Sequence, residues 1–123
     1  MRNTENFKVS KNNLGFVYIF KKIEFHPIFQ SAEHYRFFTW LIFNAAWGSY
    51  TEIKDGKSYQ LHSGELLISR KELSEKLNLS PRMITNYLKE LVEKYDVIIK
   101  INKGKKYLII IKNYDKYQKK WRN

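Results

Sequence analysis

Arg82, Thr85, Asn86 and Lys89 stand at i, i+3, i+4 and i+7 of one stretch, the spacing that gathers side chains on a single face of a helix. Arginine and asparagine each offer a two-point hydrogen-bonding edge, arginine matching guanine O6 and N7 and asparagine matching adenine N6 and N7. Threonine serves a phosphate or a thymine methyl, and lysine serves phosphate as a point charge. A second group, Lys103, Lys105 and Lys106, surrounds Gly104. Lysines this close together need water or phosphate around them. These seven positions are the candidate nucleic-acid-binding residues, with Arg82 and Asn86 as base readers and the lysines as sequence-independent attraction to phosphates. The plainer reading of each is a solvated polar residue on an exposed face.

Short amphipathic segments must hold these residues in place. Ser69-Arg70-Lys71-Glu72 is a capping box, the serine closing free helix amides and the glutamate reaching back to the serine amide. Leu73 and Leu77 give that first helix an apolar edge. Asn78-Leu79-Ser80-Pro81 reads as a turn and restart, because Ser80 can cap a second helix and Pro81 fits its first position. The second helix is predicted over residues 81 to 94, with Ile84, Leu88, Leu91 and Tyr95 as its buried stripe. Two β-rich runs, 97 to 101 and 107 to 111, flank Asn102-Lys103-Gly104-Lys105-Lys106 as a hairpin. Helix, turn, helix and basic hairpin in this order predict a winged helix-turn-helix of α+β class.

Catalytic chemistry finds little support. The chain has no cysteine, which removes disulfide, zinc-thiolate and thiol-nucleophile readings together. Gly56-Lys57-Ser58 resembles the end of a phosphate-binding loop, but Thr51 stands where that loop requires glycine. His26, His34 and His62 lack the i, i+4 spacing of a metal pair on one element, so surface or half-buried histidines are expected. Glu90 and Glu93 share a flank with Lys89 and Lys94, which favours salt-bridged solvation over acid-base work. No catalytic residue, metal or cofactor is expected.

Charge points the same way. Residues 1 to 62 hold eight Lys/Arg against five Asp/Glu, and residues 63 to 123 hold fifteen against seven, so +8 of the net +11 lies in the second half. A polyanion partner is the expectation. The start of the chain shows no apolar run of signal-peptide type, and the most hydrophobic stretch, 37 to 47, is far short of the ~20 residues of a membrane span. The expectation is a cytoplasmic protein without membrane contact.

At 123 residues a single domain is expected. Residues 1–13 read as a flexible N-terminal arm, 14–112 as the winged-helix domain, and 113–123 as a basic aromatic C-terminal tail. Within the domain, residues 15 to 20 read as a short strand or a helix start. His26-Pro27-Ile28-Phe29 reads as a turn into an aromatic helix over 32 to 47, the N-terminal extension of the fold. That helix is apolar on most faces and needs cover on most faces. Phe37, Trp40 and Trp47 are therefore candidate self-association residues, alongside the alternative that one core covers them. Two short strands, 50 to 54 and 58 to 62, are joined by the hairpin signal Asp55-Gly56-Lys57.

An ordered set of segments carries a family likeness. Gly15-Phe16-Val17-Tyr18-Ile19-Phe20-Lys21-Lys22-Ile23, His26-Pro27-Ile28-Phe29, Trp40-Leu41-Ile42-Phe43-Asn44-Ala45, Gly64-Glu65-Leu66-Leu67-Ile68-Ser69-Arg70-Lys71-Glu72-Leu73-Ser74, Leu79-Ser80 and Asn113-Tyr114-Asp115-Lys116-Tyr117-Gln118 follow one another. The succession resembles the N-terminal winged-helix domain of phage and plasmid replication initiators, the replisome-organiser or DnaD-like group. The resemblance implies a DNA-binding module, often self-associating, with its helix-turn-helix over 69 to 94 and its wing around 103 to 106. Such initiators generally continue into a further domain or tail that recruits helicase machinery, and the resemblance covers the DNA-binding part. It implies a role in replication initiation or transcriptional control.

Two other readings stay open. The first is a small phage-type inhibitor or cofactor that binds RNA, or a host ribonucleoprotein such as a CRISPR defence nuclease, with Tyr107, Tyr114, Tyr117 and Trp121 as stacking platforms. The second is a protein-protein module that has lost DNA binding and works through the 37 to 47 helix.

Overall fold

Ser69 ends one strand and begins a helix, and that junction organises the molecule. In the computed structural model, which describes residues 21–119, β3 (Glu65–Ser69) runs straight into α2 (Arg70–Leu77). Ser69 Oγ accepts the Glu72 amide at 3.1 Å and Glu72 Oε1 accepts the Ser69 amide at 3.0 Å, so both halves of the capping box are made. Asn78 closes α2 in the left-handed region at φ 57, a conformation asparagine tolerates. Ser80 then accepts the Met83 amide at 3.2 Å, Pro81 takes the first position, and α3 (Pro81–Glu93) follows. Residues 94–97 lead directly into β4 (Ile98–Lys103), which turns into β5 (Lys106–Ile111).

The three strands form an antiparallel sheet in the order β3-β5-β4, with Leu67 opposite Leu108 and Ile101 opposite Leu108 on the other side. Helix α1 (Ala32–Asn44), capped by Ser31, crosses to meet α3. One core joins them. Phe37, Phe38, Leu41 and Ile42 of α1 pack with Leu73 and Leu77 of α2, Ile84, Leu88 and Leu91 of α3, and Ile98, Ile109 and Ile111 of the sheet. Each such side chain contributes roughly 1.5–3 kcal/mol by burial. Helix, strand, helix, helix and a two-stranded wing around this core make the α+β winged helix-turn-helix fold, with α1 as its aromatic extension.

A hairpin is inserted between α1 and β3. Strands β1 (Tyr50–Lys54) and β2 (Lys57–Leu61) are joined through Asp55 and Gly56, both at positive φ (53 and 76), the geometry that an Asp-Gly turn supplies. Leu61 of the hairpin packs with Ala46 and Leu67, and Tyr50, Tyr59 and Leu108 close over them. Lys54 anchors the hairpin to the fold, its ammonium donating to the Leu67 carbonyl at 3.2 Å and to Glu72 at 3.3 Å.

Three expectations are corrected. The aromatic helix stops at Asn44 rather than residue 47, because Ala45 is extended and Ala46 exchanges backbone hydrogen bonds of 2.8 Å with Gly64 and Glu65. That pairing pulls the chain off the helix axis toward β3. The wing strands run closer to the tip than expected, β4 by two residues and β5 by one, Lys103 pairing with Lys106, so the tip is Gly104-Lys105. Residues 113–119 are not a tail: α4 (Tyr114–Lys119) follows β5, and Tyr114 is 2% exposed in the core. Gly64 makes room for it, since a Cβ there would lie 2.8 Å from the Tyr114 Cβ. The expected arm at 1–13, the segment 15 to 20, and Trp121 lie outside the described residues.

Candidate nucleic-acid interface

Helix α3 divides cleanly by face. Ile84, Leu88 and Leu91 are buried, whereas Arg82, Thr85, Asn86 and Lys89 are all exposed. Their spacing sets these four within about two turns of each other along that face. Met83 is also exposed at the start of the helix. Thr85 is held more tightly than the rest, its Oγ1 donating to the Pro81 carbonyl at 3.1 Å and accepting from Arg70 Nη1 at 3.2 Å.

Arg70 joins this face although sequence reasoning misses it. It is exposed at the first position of α2, and the helix-turn-helix folds that position against the middle of α3. No local signal marks Arg70, because its contact with Thr85 exists only once α2 and α3 have packed. Lys71 beside it is exposed as well.

The wing divides its lysines unequally. Lys103 and Lys105 are exposed. The Lys106 side chain is 15% exposed and its ammonium lies 3.1 Å from Asp55 Oδ2, in the turn of the inserted hairpin. Hydrogen bonding to Asp55 raises its proton affinity above the ordinary lysine value, the expected effect of a close carboxylate. Lys106 is thus an internal tether between wing and hairpin, and its place as a phosphate contact is corrected. Lys100 lies over the Tyr107 ring at 4.6 Å, so one face of that tyrosine already carries a cation. Tyr114, buried in the core, presents no face to a base.

The flank of α3 beyond Asn86 carries a different polar arrangement. Glu90, expected to pair with its lysine neighbours, instead accepts from His34 Nε2 at 2.5 Å, while Ser31 Oγ lies 2.5 Å from His34 Nδ1. Tyr87 and Tyr95 flank the imidazole at 4.7 and 4.9 Å between centroids. This is a structural latch between α1 and α3. Of the three self-association candidates, Phe37 is 1% exposed with its ring 6.1 Å from Tyr87, so it belongs to the core and is corrected. Trp40 and Trp47 are half-buried. Among the described residues no group of three or more His, Asp or Glu is placed to hold a metal ion, and no helix is long and apolar enough to cross a membrane.

Comparison with known proteins adds one family. Residues 67–94, which run from the middle of β3 through α2 and α3 to the C-terminal cap of α3, match the family described as winged helix-turn-helix DNA-binding. No curated protein and no solved structure matches the chain.

Proposed function

We propose that this chain binds duplex DNA without catalysing a reaction, with α3 in the major groove and the β4–β5 wing along a neighbouring stretch of backbone. The observation that carries the reading is the exposed set Arg82, Thr85, Asn86 and Lys89 on a helix whose other face is sequestered in the core. The family match over the same helix-turn-helix and the +8 charge of residues 63 to 123 support it. Arg82 and Asn86 read bases, Lys89, Lys103 and Lys105 hold phosphates, and Lys106 keeps the wing in place.

The process we propose is replication initiation or transcriptional control in a phage or other mobile element, in the cytoplasm. Its support is the ordered likeness over residues 15 to 118. Trp40 and Trp47, half-buried, are the residues through which a second copy would pair, presenting two α3 helices to two half-sites. Fluorescence anisotropy against random duplex, single-stranded DNA and structured RNA tests the central reading. Duplex should bind tightest, with affinity falling steeply as salt rises. Equal or tighter binding to RNA would favour the ribonucleoprotein reading, and no binding to any of the three would favour the protein-interaction reading.

A further inference from the structure

The Thr85 hydroxyl is occupied on both sides. It gives its hydrogen to the Pro81 carbonyl and takes one from Arg70. A hydroxyl has a single hydrogen, so Thr85 has none left for a phosphate oxygen, for guanine O6 or N7, or for thymine O4. The bond to Pro81, one turn back along α3, also fixes χ1, because a β-branched side chain has few rotamers in a helix. From this exposed position Thr85 can offer its methyl group and little else.

Arg70 has the opposite surplus. Of the five N–H donors of a guanidinium one goes to Thr85. Among the described residues no carboxylate pairs with it, whereas Arg36 pairs with Glu33 at 3.7 Å. An exposed, uncompensated guanidinium laid against the outer face of α3 suits a phosphate.

We infer that Arg70 and Thr85 form one reading unit, in which Arg70 locks the threonine hydroxyl and takes a backbone phosphate with its remaining donors, while the Thr85 methyl reads the C5-methyl of thymine. The inference rests on the duplex-DNA reading above. It specifies an A·T pair, with thymine toward Thr85, at one position of the site. It also separates DNA from RNA at that position, since uracil lacks the methyl.

The test deletes one methyl at a time. Duplexes selected from a randomised pool by the full chain are resynthesised with deoxyuridine in place of each thymine in turn. The wild-type chain should lose about fourfold in affinity at one thymine, the value of one buried methylene-sized group. Thr85→Val keeps the methyl in the same shape and should keep that penalty; Thr85→Ser keeps the hydroxyl and should erase it. Arg70→Gln should flatten the slope of log affinity against log salt by about 0.9, one phosphate contact. All three changes fall at exposed positions, and thermal unfolding of each variant checks that the fold persists.

Failures are distinguishable. If Thr85→Ser retains the penalty, or if no thymine carries one while duplex binding is intact, the thymine assignment is overturned and the DNA-binding reading stands. If Arg70→Gln leaves the slope unaltered, the phosphate role of Arg70 is overturned. If the wild-type chain retains no duplex at all, both readings fall before any substitution is made.

Discussion

His34 and Glu90 lie 56 residues apart in sequence, yet Nε2 of one and Oε1 of the other are 2.5 Å apart. The imidazole gives its Nε2 hydrogen to the carboxylate and its Nδ1 meets the Ser31 hydroxyl, so the cap of α1 and one flank of α3 are joined through one ring. Glu90 stands four residues after Asn86, on the flank of α3 that adjoins the candidate reading face. Whatever fixes that flank fixes the angle at which Arg82 and Asn86 are presented.

Removal of the latch should cost stability. His34→Ala loses the hydrogen bond and the ring contacts with Tyr87 and Tyr95, an expected loss of about 1–3 kcal/mol in urea unfolding. Glu90→Gln keeps an acceptor in place and should cost less. A loss within about 0.5 kcal/mol for His34→Ala, the range of ordinary surface changes, would show that the latch is incidental.

The capping box carries a pH dependence whose sign follows from its partners. Burial pushes the Glu72 carboxyl up, but the Ser69 amide and then Lys54 pull it down further, leaving it below the ordinary 4.5. A lowered carboxylate contributes stability that is present above 4.5 and is lost as pH falls through the lowered folded value. Glu72→Gln should therefore differ most from wild type at neutral pH, with the two unfolding curves converging in acid. Ser69→Ala, which removes the other half of the box, should cost about 1 kcal/mol at either end.

Tyr114 supplies the alkaline counterpart. Burial, with Asp115 adding to it, pushes its phenol up to about 12, against an ordinary 10.0. The folded state thus prefers the neutral phenol, and stability is intact below pH 10.0 and falls as pH rises toward 12. Its hydroxyl has no hydrogen-bond partner among the described residues. Tyr114→Phe should be neutral or slightly stabilising at pH 7 and should move alkaline unfolding to higher pH. A loss above about 1 kcal/mol would reveal a bond to that hydroxyl.

Local chemistry is legible in the sequence and distant pairing is not. Ser69, Glu72, Ser80 and Pro81 announce their helix ends because every partner lies within three residues. The stripe of Ile84, Leu88 and Leu91 fixes which face of α3 turns inward, and so which residues remain outside. Lys106 reads as a free cation until the hairpin turn 51 residues earlier brings Asp55 to it. The end of α1 at Asn44 depends on Ala46 bonding to Gly64 and Glu65, and the docking of Tyr114 depends on the missing side chain of Gly64. Arg70 reaches the reading face only once α2 and α3 have packed.

The lysines of the wing separate attraction from architecture. Lys103→Gln with Lys105→Gln should leave stability within about 0.5 kcal/mol and flatten the salt dependence of duplex binding by about 0.9 for each phosphate that is no longer neutralised. Lys106→Gln should leave that slope alone, because its ammonium is engaged by Asp55 in the hairpin turn. A flattened slope for Lys106→Gln would return it to the interface.

Arg82 and Asn86 decide whether α3 reads sequence. Both are exposed on the face opposite Ile84 and Leu88, and neither side chain packs in the core. Arg82→Ala and Asn86→Ala should therefore fold as wild type, so any change in binding reports on the base or phosphate that the side chain meets. Removing a two-point hydrogen bond to a base costs roughly 1–3 kcal/mol on a selected site. Random duplex should register a smaller loss, because its affinity comes from phosphates alone. Binding titrations at one fixed salt concentration, on selected and random duplexes side by side, give the comparison directly. Equal losses on the two would make Arg82 and Asn86 backbone contacts and leave sequence recognition to the Arg70–Thr85 unit or to the shape of the DNA.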